Sequence, residues 1–296
     1  MGGDLLIATS AIGINFIDVY HRQGIYPMPL PFIPGQDGSG IVLEVGSGVT
    51  DFKVGDVVAW PATIGSYAEQ VRVPANRAVK VPSGISPEIA CASMLQGMTA
   101  HYLINSTFKL EKQHTVLIHA GAGGVGQLLL QMAREIGATT ITTVSSDAKA
   151  EIAKAAGAQH IIRYDKEDVS LRVKEITSVG VDVVYDGVGK VTFDSSLASL
   201  KPRGLMVLFG GASGQVPPFE LQRLSAGGSL FITRPTLGHY ISSDEELQWR
   251  AREIFELINR GALQIQIGAQ FSLSDAKSAH DALESRATTG KVILKP

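Results

Sequence analysis

Three glycines at i, i+2 and i+5 are the residues from which chemistry can first be argued. Gly121, Gly123 and Gly126 follow directly on Val116, Leu117 and Ile118, an unalternating apolar run of the kind found in a strand buried on both faces. In a G-x-G-x-x-G turn the first glycine permits the tight bend, the second lets backbone approach a pyrophosphate, and the third lets helix pack on strand. Leu128, Leu129, Met132, Ala133 and Ile136 then recur at helical spacing until Gly137 supplies a stop. The N–H groups at that helix start, those of Gly124 and Val125 among them, can hold phosphate oxygens with help from the positive end of the helix dipole. A lone glycine triplet is equally a surface turn. The strand before it, the amphipathic helix after it and the strand 139–144 beyond turn the reading to dinucleotide binding.

The end of that second strand selects the dinucleotide, because an Asp or Glu about 20 residues past the glycines would bind a free ribose 2′-OH. Here the chain reads Val144-Ser145-Ser146-Asp147-Ala148-Lys149. Two small hydroxyls stand where an acid would repel a 2′-phosphate, with Lys149 within a turn, which favours NADP(H). Asp147 is the complication: the preference weakens or reverses if it, rather than Ser146, ends the strand. A solvent-facing helix N-cap is the other reading of Asp147.

The elements around this unit set its context. A chain of 296 residues with 45% hydrophobic and 18% charged residues can build a large core and two domains. A net charge of −2 leaves no electrostatic footprint for nucleic acid or anionic membrane. No apolar run approaches membrane-spanning length, and MGGDLLIATS lacks a basic signal-peptide start, so the cytosol is the expected location. Cys91 is the only cysteine, its neighbours mark it as a small buried hydrophobe, and the seven histidines lack metal-ligand spacing. No metal is expected.

Up to about residue 90, apolar or alternating pieces punctuated by glycine and proline indicate a small β domain: 5–8, 40–45, 54–60, 67–73 and 78–81. Residues 87–108 read as helix. Strand and helix then alternate: helix 152–156, strand 161–163, helix 169–177, strand 181–185, helix 191–200 and strand 204–209. Such alternation specifies an α/β fold, a doubly wound parallel sheet whose ligands bind at the carboxyl ends of the strands. Residues 228–233 read as a last strand at a sheet edge, and an exposed apolar edge commonly pairs with its copy. Residues 245–259 read as an amphipathic helix. Strand 264–268, helix 274–285 and strand 291–294 resume the β-rich texture and are expected to fold back on the first domain.

Together, GINFIDVYHRQGIYP (13–27), PGQDGSGIVLEVGSGVTDFKVGDVV (34–58), LQGMTAHYL (95–103), HAGAGGVGQLLLQMAREIGA (119–138), VVYDGVG (183–189), RGLMVLFGGASG (203–214), GSLFITRP (228–235) and AHDALESRATTGKVIL (279–294) resemble the zinc-independent, ζ-crystallin-like quinone oxidoreductases of the medium-chain dehydrogenase/reductase superfamily. The resemblance implies a GroES-like β domain, residues 1–92 and 263–296, interrupted by a Rossmann NADPH-binding domain, 93–262. It implies NADPH-dependent reduction of quinones in a cleft between them, without metal. Asn15 and Tyr20 match positions near the nicotinamide, and Thr99 one that touches the cofactor. Lys149, Tyr164 and Arg286 match residues around the 2′-phosphate, while Phe209, Gly210 and Ser213, with Phe231 and Thr233, match loops that close over the nicotinamide. A homodimer through 228–233 is expected. Where zinc-dependent members carry His-Glu after a glycine, Gly35 is followed by Gln36-Asp37, and no early cysteine exists. The chain also starts at what would be the second or third strand of the usual β domain, so either a shortened N-terminus or a rebuilt edge of that domain is expected.

Without a metal, the protein must hold a nicotinamide beside an electron-poor π-system, and Asn15, Tyr20, Tyr26 and Gln36 are the donors that could stabilise charge on a carbonyl oxygen. Each could instead brace backbone or line the cleft. Three functions stay open: NADPH:quinone reduction, reduction of the C=C bond of enones or alkenals on the same fold, and a non-catalytic NADPH-binding role, structural or RNA-binding.

Overall fold

The computed structural model describes residues 2–296. The chain divides into two compact units, one running up to Thr99 and resuming at Tyr240–Pro296, the other spanning Ala100–His239.

The first unit opens with β1 (Asp4–Ile14) and α1 (Phe16–Arg22), a helix absent from the sequence reading because its seven residues hold barely two turns of periodicity. β2 (Asp37–Val45), β3 (Val57–Trp60), β4 (Gln70–Pro74), β5 (Val79–Lys80) and α2 (Pro87–Tyr102) follow. β1 is the hub of the sheet. One edge pairs with β2 along most of its length, while on the other Asp4–Ala8 pairs with β4 and Ile12–Ile14 with β13 (Lys291–Lys295). Irregularities at Leu6/Ile7 and Thr9/Ala11 bend the strand between these partners. Gly40 lies in the tightest part of the β1–β2 pairing, where a Cβ would stand 2.1 Å from the Ala8 carbonyl oxygen. Leu5, Ile7, Val42, Val58, Trp60, Val71 and Val73 form the core on one face, and the Trp60 indole donates to Ser66 Oγ at 2.9 Å.

The second unit carries β6 (Thr115–Ile118), α3 (Gly124–Ile136), β7 (Thr139–Val144), α4 (Asp147–Ala155), β8 (His160–Arg163), α5 (Val169–Thr177), β9 (Val181–Asp186), α6 (Phe193–Ala198), β10 (Leu200–Leu208), α7 (Gln222–Ala226), β11 (Phe231–Thr233) and the short α8 (Leu237–Tyr240) at its end. Its six strands lie in the order β11-β10-β9-β6-β7-β8, all parallel. The chain leaves β6 to one side through β7 and returns on the other through β9, which makes the β6/β9 gap the switch point of a doubly wound sheet. The expected edge strand 228–233 is there, shortened to Phe231–Thr233. Gly228 and Ser229 have φ of +108° and +59°, and Leu230 turns into the core.

The division falls at 99/100 and 239/240 instead of 92/93 and 262/263. The residues concerned are mainly α9 (Asp244–Asn259), whose Leu247, Ala251, Ile254 and Phe255 are buried within the first unit. Gln248 donates to the Ala78 carbonyl at 3.1 Å, Arg77 donates to the carbonyls of Ile241 and Ser242, and Ile254 packs on Gly97. An amphipathic stripe shows that a helix is covered on one face, not what covers it. The unit closes with β12 (Ile267–Ser272), α10 (Ala276–Glu284) and β13, so the tail does return to β1. No helix among the described residues is long and apolar enough to cross a membrane.

Candidate active site

In the second unit the glycines act by close approach. A Cβ on Gly121 would lie 2.2 Å from Thr142 Oγ1 on the neighbouring strand, and one on Gly126 would lie 2.3 Å from the Ala120 carbonyl oxygen. Gly123, at φ −78°, is the N-cap of α3 and supplies no side chain to it. The first N–H groups of the helix, from Gly124, Val125 and Gly126, therefore have neither an intrahelical acceptor nor a capping side chain, and they sit at a positive dipole end beyond a strand carboxyl terminus. A helix start of this kind can cradle a diphosphate. Gly137 ends the helix at φ +86°, as its position suggested.

Beside the cradle, β7 ends at Val144 and Ser146 is the N-cap of α4, its Oγ accepting from the Lys149 N–H at 3.2 Å. Asp147 is thus neither strand end nor N-cap. It is the first helical residue, and Arg163 at the end of β8 pairs with it. Ser145 and Lys149 are half-buried and Tyr164 is exposed.

The loops after β9 and β10 are tied together. Phe209 N–H donates to the Asp186 carbonyl at 2.9 Å and its ring covers Gly187, Gly210 lies so close to Gly187 that a Cβ would meet its oxygen at 2.5 Å, and Ser213 Oγ donates to the Val188 carbonyl at 2.8 Å. Beneath them runs a polar ladder the sequence reading did not identify. Asp186, fully buried, accepts from the N–H groups of Val188 and Gly189 and from the hydroxyls of Thr192 and Ser196, at 2.7–3.0 Å. His119 lies 2.9 Å from Ser196 Oγ through Nε2 and 3.0 Å from Thr143 Oγ1 through Nδ1. With Ser196 donating to Asp186, the imidazole donates through Nε2 and accepts at Nδ1, and burial lowers its pKa, so it stays neutral. The signal was a His and an Asp directly following the buried runs 116–118 and 183–185. Phe231 is exposed and Thr233 half-buried on β11.

In the first unit the structure gathers a second group. Asn15, predicted to face a nicotinamide, is buried at the start of α1 with its side chain engaged: Nδ2 donates to Asp37 Oδ1 at 2.7 Å, and Oδ1 accepts from Lys291 Nζ at 2.7 Å. Lys291 also pairs with Asp37 Oδ2 at 2.8 Å, and both charged groups are almost wholly buried. The Asn15 side chain thus braces the buried Asp37–Lys291 pair rather than backbone, and these bonds use one of its two amide hydrogens. Asp18 caps the same helix start, its Oδ2 accepting from the Asn15 N–H at 2.9 Å and facing Tyr67 Oη at 3.3 Å. Burial first, then the neighbouring Asp37, push its carboxyl up to about 7. Tyr67 Oη also lies 3.0 Å from His280 Nε2, and burial holds the Tyr67 hydroxyl protonated and His280 neutral.

Tyr20 is buried and Tyr26 more open, their rings edge to face at 5.3 Å, with His21 against Tyr26 and Phe32. Gln36 is buried and its backbone carbonyl accepts from the Thr63 N–H at 2.7 Å. Thr99 is spent on its own helix, Oγ1 donating to the Leu95 carbonyl at 2.7 Å, which leaves it only as an acceptor. Arg286 is exposed just past α10 at φ +58°.

Among the described residues no three His, Cys, Asp or Glu side chains are grouped as a metal would need. At Asp37 the buried carboxylate already has a cation, the Lys291 ammonium, and the Cys91 thiol is buried with its pKa raised by that burial. This donor set does not fit zinc.

Residues 2–83 match the alcohol dehydrogenase GroES-like domain and residues 124–253 the zinc-binding dehydrogenase family. The chain is 46% identical over 296 residues to a quinone oxidoreductase of Pseudomonas aeruginosa, covering 99% of this chain and 91% of that one. It is 41% identical over 304 residues to a 2-haloacrylate reductase of Burkholderia, with coverage of 99% and 91%. The crystal structure of Escherichia coli quinone oxidoreductase complexed with NADPH superposes with a TM-score of 0.97 at 43% identity, covering 99% of this chain and 92% of that one.

Two outcomes test the first-unit group. Lys291→Met leaves Asp37 buried without its cation and should cost about 3–5 kcal/mol in urea unfolding, whereas Lys291→Met with Asp37→Leu should recover most of that loss; a single variant as stable as the parent would contradict the pairing. Asp18 carries a folded pKa above its unfolded value, so from about pH 4 to 7 the unfolded chain releases its proton first and stability falls. Asp18→Asn should match the parent at pH 4 and exceed it at pH 8; equal unfolding midpoints at both pH values would refute the raised pKa.

Proposed function

We infer that this chain, which belongs to the quinone oxidoreductase family of the medium-chain dehydrogenase/reductase superfamily, reduces quinones with NADPH. The observation that carries the reading is the turn 121–126: contacts of 2.2–2.3 Å exclude side chains at Gly121 and Gly126, and the helix start behind them has no capping side chain. When bound, NADPH supplies a hydride, and a quinone takes that hydride with one proton to become a hydroquinone.

The protein's own residues orient, neutralise and exclude water. The N–H groups of Gly124, Val125 and Gly126 hold the diphosphate. Lys149 and Tyr164, beside Ser145 and Ser146, receive the 2′-phosphate. The tied loops bearing Phe209, Gly210 and Ser213, with Phe231 and Thr233 on β11, flank the nicotinamide. Negative charge developing on the substrate oxygen is met by hydroxyl or amide donors, and Tyr26, the more open of the tyrosine pair, is the first candidate, with Tyr20 and the remaining Asn15 hydrogen behind it. The 41% identity to a 2-haloacrylate reductase favours a second reading, hydride addition to an electron-poor C=C bond, which the same oriented donor would serve. The cytosol is the proposed location, in keeping with the net charge of −2 and a composition without a membrane-length apolar run.

Titration should show NADPH binding at least about tenfold tighter than NADH, with Lys149→Ala removing much of the difference; equal affinities would sink the cofactor assignment. Turnover of a quinone panel beside an enone and acrylate panel then separates the two reactions, and binding without turnover on either would overturn both.

The edge strand supplies the assembly. Phe231 is 60% exposed on β11, and β11 pairs only with β10 among the described residues. A two-fold axis there joins two six-stranded sheets through an antiparallel seam, each copy covering the other's edge. Light scattering at micromolar concentration should find a homodimer, and Phe231→Lys a monomer with weaker NADPH binding. A monomeric parent would refute the dimer, and a monomeric variant with unchanged affinity would refute only its coupling to the cofactor.

A further inference from the structure

The acid at the ribose-reading end of β7 is the anomaly of the second unit. Asp147 stands one residue past the Ser146 cap, its side chain 87% exposed, where a carboxylate attracts a 2′-hydroxyl and repels a 2′-phosphate. What distinguishes this acid is its partner. Arg163 is the last residue of β8, in register with Val144, the last of β7, so adjacent strands deliver the two side chains to the same end of the sheet. Its side chain is only 15% exposed, and its guanidinium is held from behind by Asp165, which accepts from Nε at 2.8 Å and from one terminal nitrogen at 2.7 Å. That fork fixes the direction of the group and leaves the other terminal nitrogen to Asp147.

We propose that Arg163 is a cofactor-specificity residue: by pairing with Asp147 it neutralises the acid and fixes its direction, so that a 2′-phosphate is accepted close to a carboxylate that would otherwise repel it. The proposal rests on the NADPH reading above. A surface ion pair contributes little to stability, so a purely structural Arg163 would affect all nucleotides alike. The proposed role acts on one phosphate only. It also predicts a dependence on salt, since like-charge repulsion between an exposed carboxylate and a phosphate is screened within about 10 Å at 0.1 M ionic strength.

The test is calorimetric titration of the full chain, its Arg163→Gln and Asp147→Asn variants and the double variant, with NADPH, NADH, adenosine 2′,5′-bisphosphate and 5′-AMP. Arg163→Gln should weaken NADPH and the bisphosphate about three- to tenfold at low salt, leave NADH and 5′-AMP within about twofold, and lose most of this defect at 1 M salt. Adding Asp147→Asn should restore NADPH to within about twofold of the parent. Equal weakening of all four ligands would overturn the proposal in favour of a folding role. A double variant as defective as Arg163→Gln would overturn it by showing that Arg163 acts without Asp147. If the parent itself shows no preference for the 2′-phosphorylated ligands, the NADPH reading fails and this proposal with it; a parent preference that Arg163→Gln leaves undiminished overturns this proposal alone.

Discussion

The first unit depends on one buried ion pair. Lys291 and Asp37 come from strands 254 positions apart in the chain and meet with almost no exposure to water, and Asn15, between β1 and α1, bridges them through both ends of its amide. Two isolated charges in such a place would be prohibitive; together, with every contact a charge-assisted hydrogen bond, they are tolerable and demand one register. Sliding β13 along β1 by one residue would turn Lys291 to the opposite face and leave Asp37 alone. The pair therefore specifies how the C-terminal segment closes onto the first strand, and it delivers Asn15 and the start of α1 in a single orientation.

The second unit solves a similar problem with neutral partners. Its strands end in loops that must stay close to one another without water beneath them. Asp186 gathers the start of one loop through two N–H groups and the start of α6 through two hydroxyls, and Ser196 passes the connection to His119 at the end of β6. Every member of that ladder has a partner, which is the condition under which a buried polar network adds rigidity instead of cost. The glycine turn sits on top of it, and Gly121 and Gly126 let its backbone come within the distance at which a helix start can point at a ligand.

What could be read from residue order was whatever depends on neighbours along the chain. The buried strand, glycine turn and amphipathic helix of 115–137 were legible because their periods and punctuation are local, as were the parallel alternation that follows, the left-handed stop at Gly137 and the lone buried Cys91. The hydroxyls at 145 and 146 were legible because they replace an acid at a fixed distance from the glycines. The resemblance extended this to the family and to residues whose roles no spacing reveals.

Tertiary structure decided the rest, because it concerns partners far apart in sequence. That Asp147 carries an ion pair depends on Arg163, which belongs to another strand; that the Asn15 amide is engaged at both ends depends on Asp37 and on Lys291 at the far end of the chain. The helix 244–259 shows the same limit, since its apolar stripe demanded a cover without naming the first unit as that cover. Periodicity along the chain determines which face of an element is buried, and only long-range pairing determines what that face, or a charge upon it, meets.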